Sequence, residues 1–199
     1  MRIIGDIHQK YEQFQHLVWN VPHSIQIGDM GFNYEFLNNN LDPHDHVFIP
    51  GNHENYNNLP VHSLGDYGYR DFHGTKFFFV RGAFSIDYKH RTPLIDWFPN
   101  EQLSYRECEN CLESYKGTEL MLTHDCPRFI SNIIGNAGVL INFGFSPTKF
   151  TTVTSELLEQ LWYKSKPKLW IFGHYHRSFD EVIDGCRFVC LPELGYIDI

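Results

Sequence analysis

The sequence predicts an α/β protein in which two packed β-sheets carry helices on their outer sides, and three observations support that expectation. Short apolar runs recur that end in a polar, ligand-type residue, as buried strands do when their C-terminal ends deliver chemistry. Helix-period stretches lie between those runs, the alternation of an α/β fold. Two further pairs of apolar runs read as hairpins and call for antiparallel strands besides the parallel ones.

Taken in chain order, Ile3-Ile4 leads to Gly5-Asp6, and Lys10 to Trp19 follows as a helix with Tyr11, Phe14 and Val18 on one face. Ile25 to Ile27 leads to Gly28-Asp29, and Val47 to Pro50 leads to Gly51-Asn52-His53. Lys76–Val80 with Ala83–Asp87 forms the first expected hairpin, and Asn100 to Tyr115 the second expected helix. Leu120 to Leu122 leads to Thr123-His124. The stretch from Cys126 to Thr152, with scattered Gly, Asn and Pro and no clean period, reads as a long loop that helps form a cleft. Ser155 to Lys164 is the third helix, with Thr154 as its cap. Leu169 to Phe172 leads to Gly173-His174, and Glu181–Ile183 with Arg187–Cys190 closes the second hairpin around Asp184-Gly185. The polar strand ends span Asp6 to His176 without a linker, repeat or low-complexity tract, so residues 1–199 are expected to form one domain.

Composition narrows the function. Acidic residues outnumber basic ones by 24 to 16, a formal charge of -8, so phosphate binding has to be local and no extended nucleic-acid binding is expected. No apolar run reaches the roughly 20 residues of a membrane span, and the first apolar run leaves no room for a leader, which predicts a soluble, intracellular, cytoplasmic protein. The five cysteines fit reduced thiols better than disulfides. Cys108 to Cys111 is a CxxC, and Cys186 and Cys190 lie four apart, but zinc-ribbon spacing is absent. The twelve histidines are roughly twice the ordinary usage, so their positions carry more information.

Asp6-Ile7-His8 places two ligand types on alternate residues, which a strand end aims to one face. Gly28-Asp29, Gly51-Asn52-His53-Glu54, Thr123-His124 and Gly173-His174-Tyr175-His176 follow, each at the end of an apolar run. Singly these are ordinary turns; together they form a donor set of imidazole, carboxylate and amide oxygen. That set suits borderline divalent metals such as manganese, iron, zinc or nickel, of which manganese is taken first. Hydrolysing a phosphate ester near neutral pH needs neutralised phosphoryl oxygens and a hydroxide nucleophile, and two adjacent cations supply both. Two divalent ions, two carboxylates and one hydroxide leave about one positive charge, enough to favour an anionic phosphoester inside an acidic protein.

In order and spacing, DxH, GD, GNH, a lone His and GHxH resemble the calcineurin-like metallophosphoesterase superfamily over positions 6 to 176. The resemblance implies a four-layer α/β/β/α sandwich with two mixed β-sheets. It further implies that Asp6, His8 and His176 bind one metal, that Asn52, His124 and His174 bind the other, and that Asp29 bridges them. His53 corresponds to the family's catalytic histidine, which contacts phosphate and protonates the leaving oxygen, while a hydroxide bridging the metals attacks phosphorus in line.

The chain departs from the protein Ser/Thr phosphatase branch. That branch continues as GDxxDRG and places Arg before GNHE, whereas this chain reads Gly28-Asp29-Met30-Gly31-Phe32-Asn33 and has Pro50 before Gly51. Arg91 and Arg177 are the candidate replacement phosphate contacts, because guanidinium pairs well with phosphate. The expected activity is hydrolysis of phosphomonoesters or phosphodiesters of nucleotides, nucleic-acid ends or other small alcohols. A phosphoprotein phosphatase and a non-catalytic protein-binding scaffold of the same fold are the alternatives. His16, His23, His44, His46, His62, His73 and His90 belong to no motif and read as surface or loop residues.

Overall fold

The computed structural model describes residues 1–199. One sheet has the order β10-β1-β2-β3, from β1 (Arg2–Ile4), β2 (Ser24–Gln26), β3 (His46–Phe48) and β10 (Tyr196–Asp198). In it β1, β2 and β3 run parallel and β10 pairs antiparallel with β1. The other has the order β4-β5-β6-β7-β9-β8, from β4 (Tyr67–Phe72), β5 (Thr75–Val80), β6 (Leu120–Thr123), β7 (Leu169–Phe172), β8 (Phe179–Ile183) and β9 (Cys186–Cys190). Its strands β5, β6, β7 and β9 are parallel, with β4 and β8 antiparallel at the two edges. The helices are α1 (Tyr11–Val18), α2 (Glu35–Asn40), α3 (Tyr105–Ser114), α4 (Arg128–Ile134), α5 (Ala137–Asn142) and α6 (Val153–Lys164).

The period of two along each strand builds the layers. Ile25, Val47, Phe77, Phe79, Leu122 and Ile171 meet between the sheets. The alternate residues Phe78, Met121, Trp170, Phe172 and Phe188 point the other way, against Cys111 of α3, Ile130 of α4 and Leu158 and Trp162 of α6. On the far side of the first sheet, Ile4 and Phe48 pack against Phe14 and Val18 of α1 and Leu37 of α2. Three apolar layers between four layers of backbone give the α/β/β/α sandwich, each fully buried large side chain contributing about 1.5–3 kcal/mol by removal from water. All five cysteines are free and buried in the layer outside the second sheet, and burial pushes the Cys111, Cys186 and Cys190 thiols up to about 12.

Several local expectations are corrected. Lys76–Val80 pairs backward with β4 and not forward with Ala83–Asp87. The reason is the His73-Gly74 turn, whose φ values of 50° and 83° match the twist of a two-residue hairpin, whereas Gly82 donates to Pro50 O at 2.8 Å and turns residues 83–87 toward the loops. Cys126 to Thr152 is not a continuous loop. It holds α4 and α5, whose seven and six residues are too short to display a 3.6-residue period. Helix α6 is capped by Thr152, whose hydroxyl accepts from Ser155 N, and not by Thr154, which is buried inside the first turn. Helix α3 begins after Ser104, which forms a capping box with Glu107; Asn100 lies ahead of it and gives its carbonyl to Arg81. His62 lies in a turn but is buried, its Nε2 3.1 Å from Leu41 O, and His46 is a half-buried residue of β3 and not a loop or surface one. No helix is long and apolar enough to cross a membrane.

Candidate metal centre and active site

The C-terminal ends of parallel strands from both sheets converge, the usual place for a ligand site in open α/β sheets. The chain after β1 supplies Asp6 and His8, after β2 Asp29, after β3 Asn52 and His53, after β6 His124, and after β7 His174 and His176. Asp6, His8, Asp29 and His176 each place one ligand atom within 4.8 Å of the others, and so do Asp29, His124 and His174. Asp29 belongs to both groups. Asn52 Oδ1 lies 3.1 Å from His124 Nε2, which adds the amide to the second group. The structure therefore brings together all seven residues expected to bind metal.

The local backbone is shaped for this convergence. His8, Asp29, His174 and His176 adopt left-handed φ values of 45°, 58°, 68° and 51°, each costing about 1–3 kcal/mol in a non-glycine residue. Specific bonds hold them there: His8 N donates to Asp29 O at 2.9 Å, and His174 N donates to the Asp6 carboxylate at 3.1 Å. The glycines before the ligands answer to space. A Cβ on Gly28, itself at φ 105°, would sit 2.1 Å from His124 Nδ1, and one on Gly51 would sit 2.3 Å from Asp29 Oδ1. Any side chain at either position would displace the donor set.

Hydrogen bonds behind the donors fix which atoms face the centre. His124 Nδ1 donates to Ile27 O at 2.9 Å, so its Nε2 is left with a lone pair for a cation. Asn52 Nδ2 donates to Ser85 Oγ at 3.0 Å, and Ser85 Oγ donates to Glu101 Oε2 at 2.6 Å, which turns Asn52 Oδ1 inward. His8 Nε2 and His176 Nε2 lie 2.9 Å apart, so both ring nitrogens reach the same part of the centre. The donor chemistry and the orientation of these atoms fit divalent metals.

Electrostatics in the absence of cations shows what a metal would relieve. Burial opposes ionisation of Asp29, yet His124, His53 and His8 hold its carboxyl well below the usual range. Burial lowers His124 while Asp29 and Asp6 outweigh it and push it up to about 10; its neighbour His174 is pushed down to about 3 by burial and by His124.

His53 stands outside both ligand groups. Burial holds it below its ordinary value, Asp29 opposes that shift and Arg91 reinforces it. Two Arg91 guanidinium nitrogens lie 2.6 and 3.3 Å from the two ring nitrogens of His53, and Arg91 is itself tied to Asp87 at 2.8 Å. Arg177 lines the same cavity and donates to Ile134 O at 3.1 Å. Both arginines therefore line the cavity.

The centre also rests on supporting residues that belong to none of the expected ligand or substrate contacts. Glu54, fully buried, accepts from Met30 N at 2.8 Å, Gly51 N at 3.3 Å and Tyr34 Oη at 2.9 Å, joining the loops that carry Asp29 and Asn52. Burial and the Asp29 charge push it up to about 8. A charged residue directly after Gly51-Asn52-His53 was the available signal. Replacing Glu54 by Ala would strand three donors, so urea unfolding of the metal-free protein is expected to show a loss of about 3 kcal/mol, with Glu54→Gln losing less. Ser85 and Glu101 had no signal, since their partners lie 33 and 16 residues away.

A second trio lies at the opposite ends of β2 and β3. His23 Nδ1 and His73 Nε2 are 3.2 and 3.4 Å from Asp45 Oδ1. Their rings stack at 3.4 Å and 11°, so their in-plane lone pairs do not meet at one point, and His73 Nε2 donates to His44 O at 2.7 Å. That geometry does not suit a metal.

A family model described as calcineurin-like phosphoesterase matches residues 2–178. Among solved structures, a phosphopantetheinyl hydrolase from Mycobacterium tuberculosis aligns with a TM-score of 0.53 at 13% identity, covering 96% of this chain and 89% of its own. A conserved protein of Streptococcus pneumoniae described as a predicted phosphoesterase aligns with a TM-score of 0.41 at 12% identity, covering 98% of this chain and 73% of its own. At these identities the hydrolase shares the fold. No curated protein matches the chain.

Proposed function

The chain belongs to the calcineurin-like phosphoesterase family across residues 2–178, and on that premise we propose that it hydrolyses small phosphoesters with the help of two divalent cations. The observation that carries the reading is the sharing of Asp29 between two ligand groups built from different strand ends. Asp6, His8 and His176 would hold one ion, Asn52, His124 and His174 the other, and Asp29 both. When bound, such ions neutralise phosphoryl oxygens and lower the pKa of water, which is the chemistry the reaction needs. Manganese is the first choice, with iron, zinc or nickel compatible with the same donors.

The protein's own groups do the rest. His53 lines the cavity beside both ligand groups without belonging to either, the position of a proton donor to the leaving oxygen. Arg91 adds positive charge at that end of the cavity and Arg177 at another wall, so an anionic ester is oriented by two cations besides the metals. His8 and His174 are held in their left-handed conformations by hydrogen bonds from their backbone N before substrate arrives, so little reorganisation is left for the reaction. A non-catalytic scaffold has less support, because all seven donors and their backing hydrogen bonds are retained. Phosphoprotein phosphatase activity has less support than small-ester hydrolysis, because Pro50 stands where that branch carries its phosphate-binding Arg.

Metal analysis and chelation test the reading. Purified protein loaded with manganese is expected to hold two ions per chain and to hydrolyse p-nitrophenyl or bis-p-nitrophenyl phosphate; EDTA is expected to abolish turnover and excess manganese to restore it. Full activity after metal removal would sink the proposal.

A further inference from the structure

We propose that the apolar end of the cavity is a subsite for a single nucleobase, which makes nucleoside phosphoesters the preferred substrates; this rests on the phosphoesterase reading above. The cavity, about 410 Å³, runs without a break from Asn52, His53 and His174 to a wall formed by Phe84, Phe150, Val139 and Leu140. That volume lies in the range of pockets that enclose one small ligand. With a phosphoryl group at the His53 end, the remaining space has to be filled by whatever the phosphate is esterified to.

The wall identifies that group. Helix α5 has the sequence Ala-Gly-Val-Leu-Ile-Asn, yet it buries none of its residues, and Val139 stays 38% exposed. A six-residue helix has too little intrinsic stability to be kept for its own sake. It is nevertheless capped, with Asn136 Oδ1 accepting from Gly138 N and Val139 N, and it presents Val139 and Leu140 to the cavity. Phe84 and Phe150 line the same cavity and meet at a centroid distance of 6.0 Å. A flat ring laid against these aliphatic and aromatic side chains can adopt the offset or edge-on contacts that π-systems prefer, which a flexible alkyl chain does not exploit. The cap leaves the Asn136 amide NH₂ as a donor for base acceptors at the same wall.

The charge distribution limits the substrate to one nucleoside unit. Arg91 and Arg177 are the only Lys or Arg residues lining the cavity, and the chain as a whole carries -8. A strand of nucleic acid needs a track of cations along its phosphates, whereas one phosphoester needs only the cations grouped here.

The test compares esters that share a scissile bond and differ in the base: AMP against ribose 5-phosphate, and thymidine 5′-(p-nitrophenyl phosphate) against its abasic counterpart, 1,2-dideoxyribose 5-(p-nitrophenyl phosphate). The manganese-loaded enzyme is expected to favour the base-bearing member of at least one pair by about tenfold or more in kcat/KM, mostly through KM. Val139→Asp and Leu140→Ser, both on the unburied helix, are expected to bring that ratio down toward one. Equal kcat/KM within both pairs, an unchanged ratio in both variants, or preference for a phosphoserine peptide or an alkyl phosphate over the nucleoside esters would overturn the base subsite. In each of those cases turnover of bis-p-nitrophenyl phosphate, read in the same assay, leaves the phosphoesterase reading standing. A metal-loaded protein inert to every ester overturns both.

Discussion

Asp29→Asn is expected to drop the metal content below two ions per chain and to lower kcat/KM on any phosphoester by at least about 10³-fold, well beyond the roughly 10–100-fold typical of an outer-shell partner. Asp29 is the one residue common to both ligand groups, so its loss weakens two sites at once where any other ligand substitution weakens one. The Asn side chain keeps the shape, and its Oδ1 can still accept from His53 N, a bond of 2.8 Å in the structure. What disappears is the charge that His124, His53 and His8 hold in place. Metal content by elemental analysis, turnover, and thermal melting of the metal-stripped protein together separate this outcome from simple misfolding. Two ions retained with turnover within about tenfold of the parent would refute a bridging role.

The expectation for Asp29 comes partly from sequence and partly from structure. Gly28-Asp29 is an ordinary turn by composition, and its meaning came from standing in order with the other strand ends. The structure supplies the physical reason for that order. Each motif glycine leaves room for a ligand from another strand, as Gly28 does for His124 and Gly51 for Asp29, so the pattern is legible because space and backbone conformation forbid most substitutes. Strands β6 and β7 are legible as short apolar runs buried on both faces, and β1, β2 and β3 as short buried segments with an apolar residue beside each polar one.

Elsewhere the signal is weak for physical reasons. Strand β4 is an edge strand with three exposed residues and a Gly, so its period of two is diluted and the sequence does not mark it as the partner of β5. Helices α4 and α5 span about two turns each, and α5 buries nothing, so no amphipathic stripe exists to be read. Among the site's supports, Glu54 adjoins a motif, but Ser85 and Glu101 act through contacts between distant segments. Their chemistry is common on any protein surface, and only the folded chain shows that they orient Asn52.

His53→Ala is expected to leave both metals in place while lowering kcat by about 10²–10⁴-fold on alkyl phosphoesters, the range for loss of a positioned general acid. Neither ligand group contains His53, and the bond that links this position to Asp29 comes from the backbone N, which the substitution keeps. The effect should depend on the leaving group. An alkoxide needs a proton as it departs, whereas p-nitrophenolate is stable enough to leave without one, so the same variant should lose no more than about tenfold on p-nitrophenyl esters. Arg91 sharpens the expectation: its guanidinium beside the ring and the burial of the ring both favour neutral imidazole, and the negative phosphoryl group of a bound ester supplies the opposing charge that favours protonation. The comparison that decides is kcat for parent and variant on an alkyl and a p-nitrophenyl ester with metal content measured in parallel. Equal losses on both esters would assign His53 to binding or positioning of the phosphoryl group, and loss of metal would assign it to the structure of the centre.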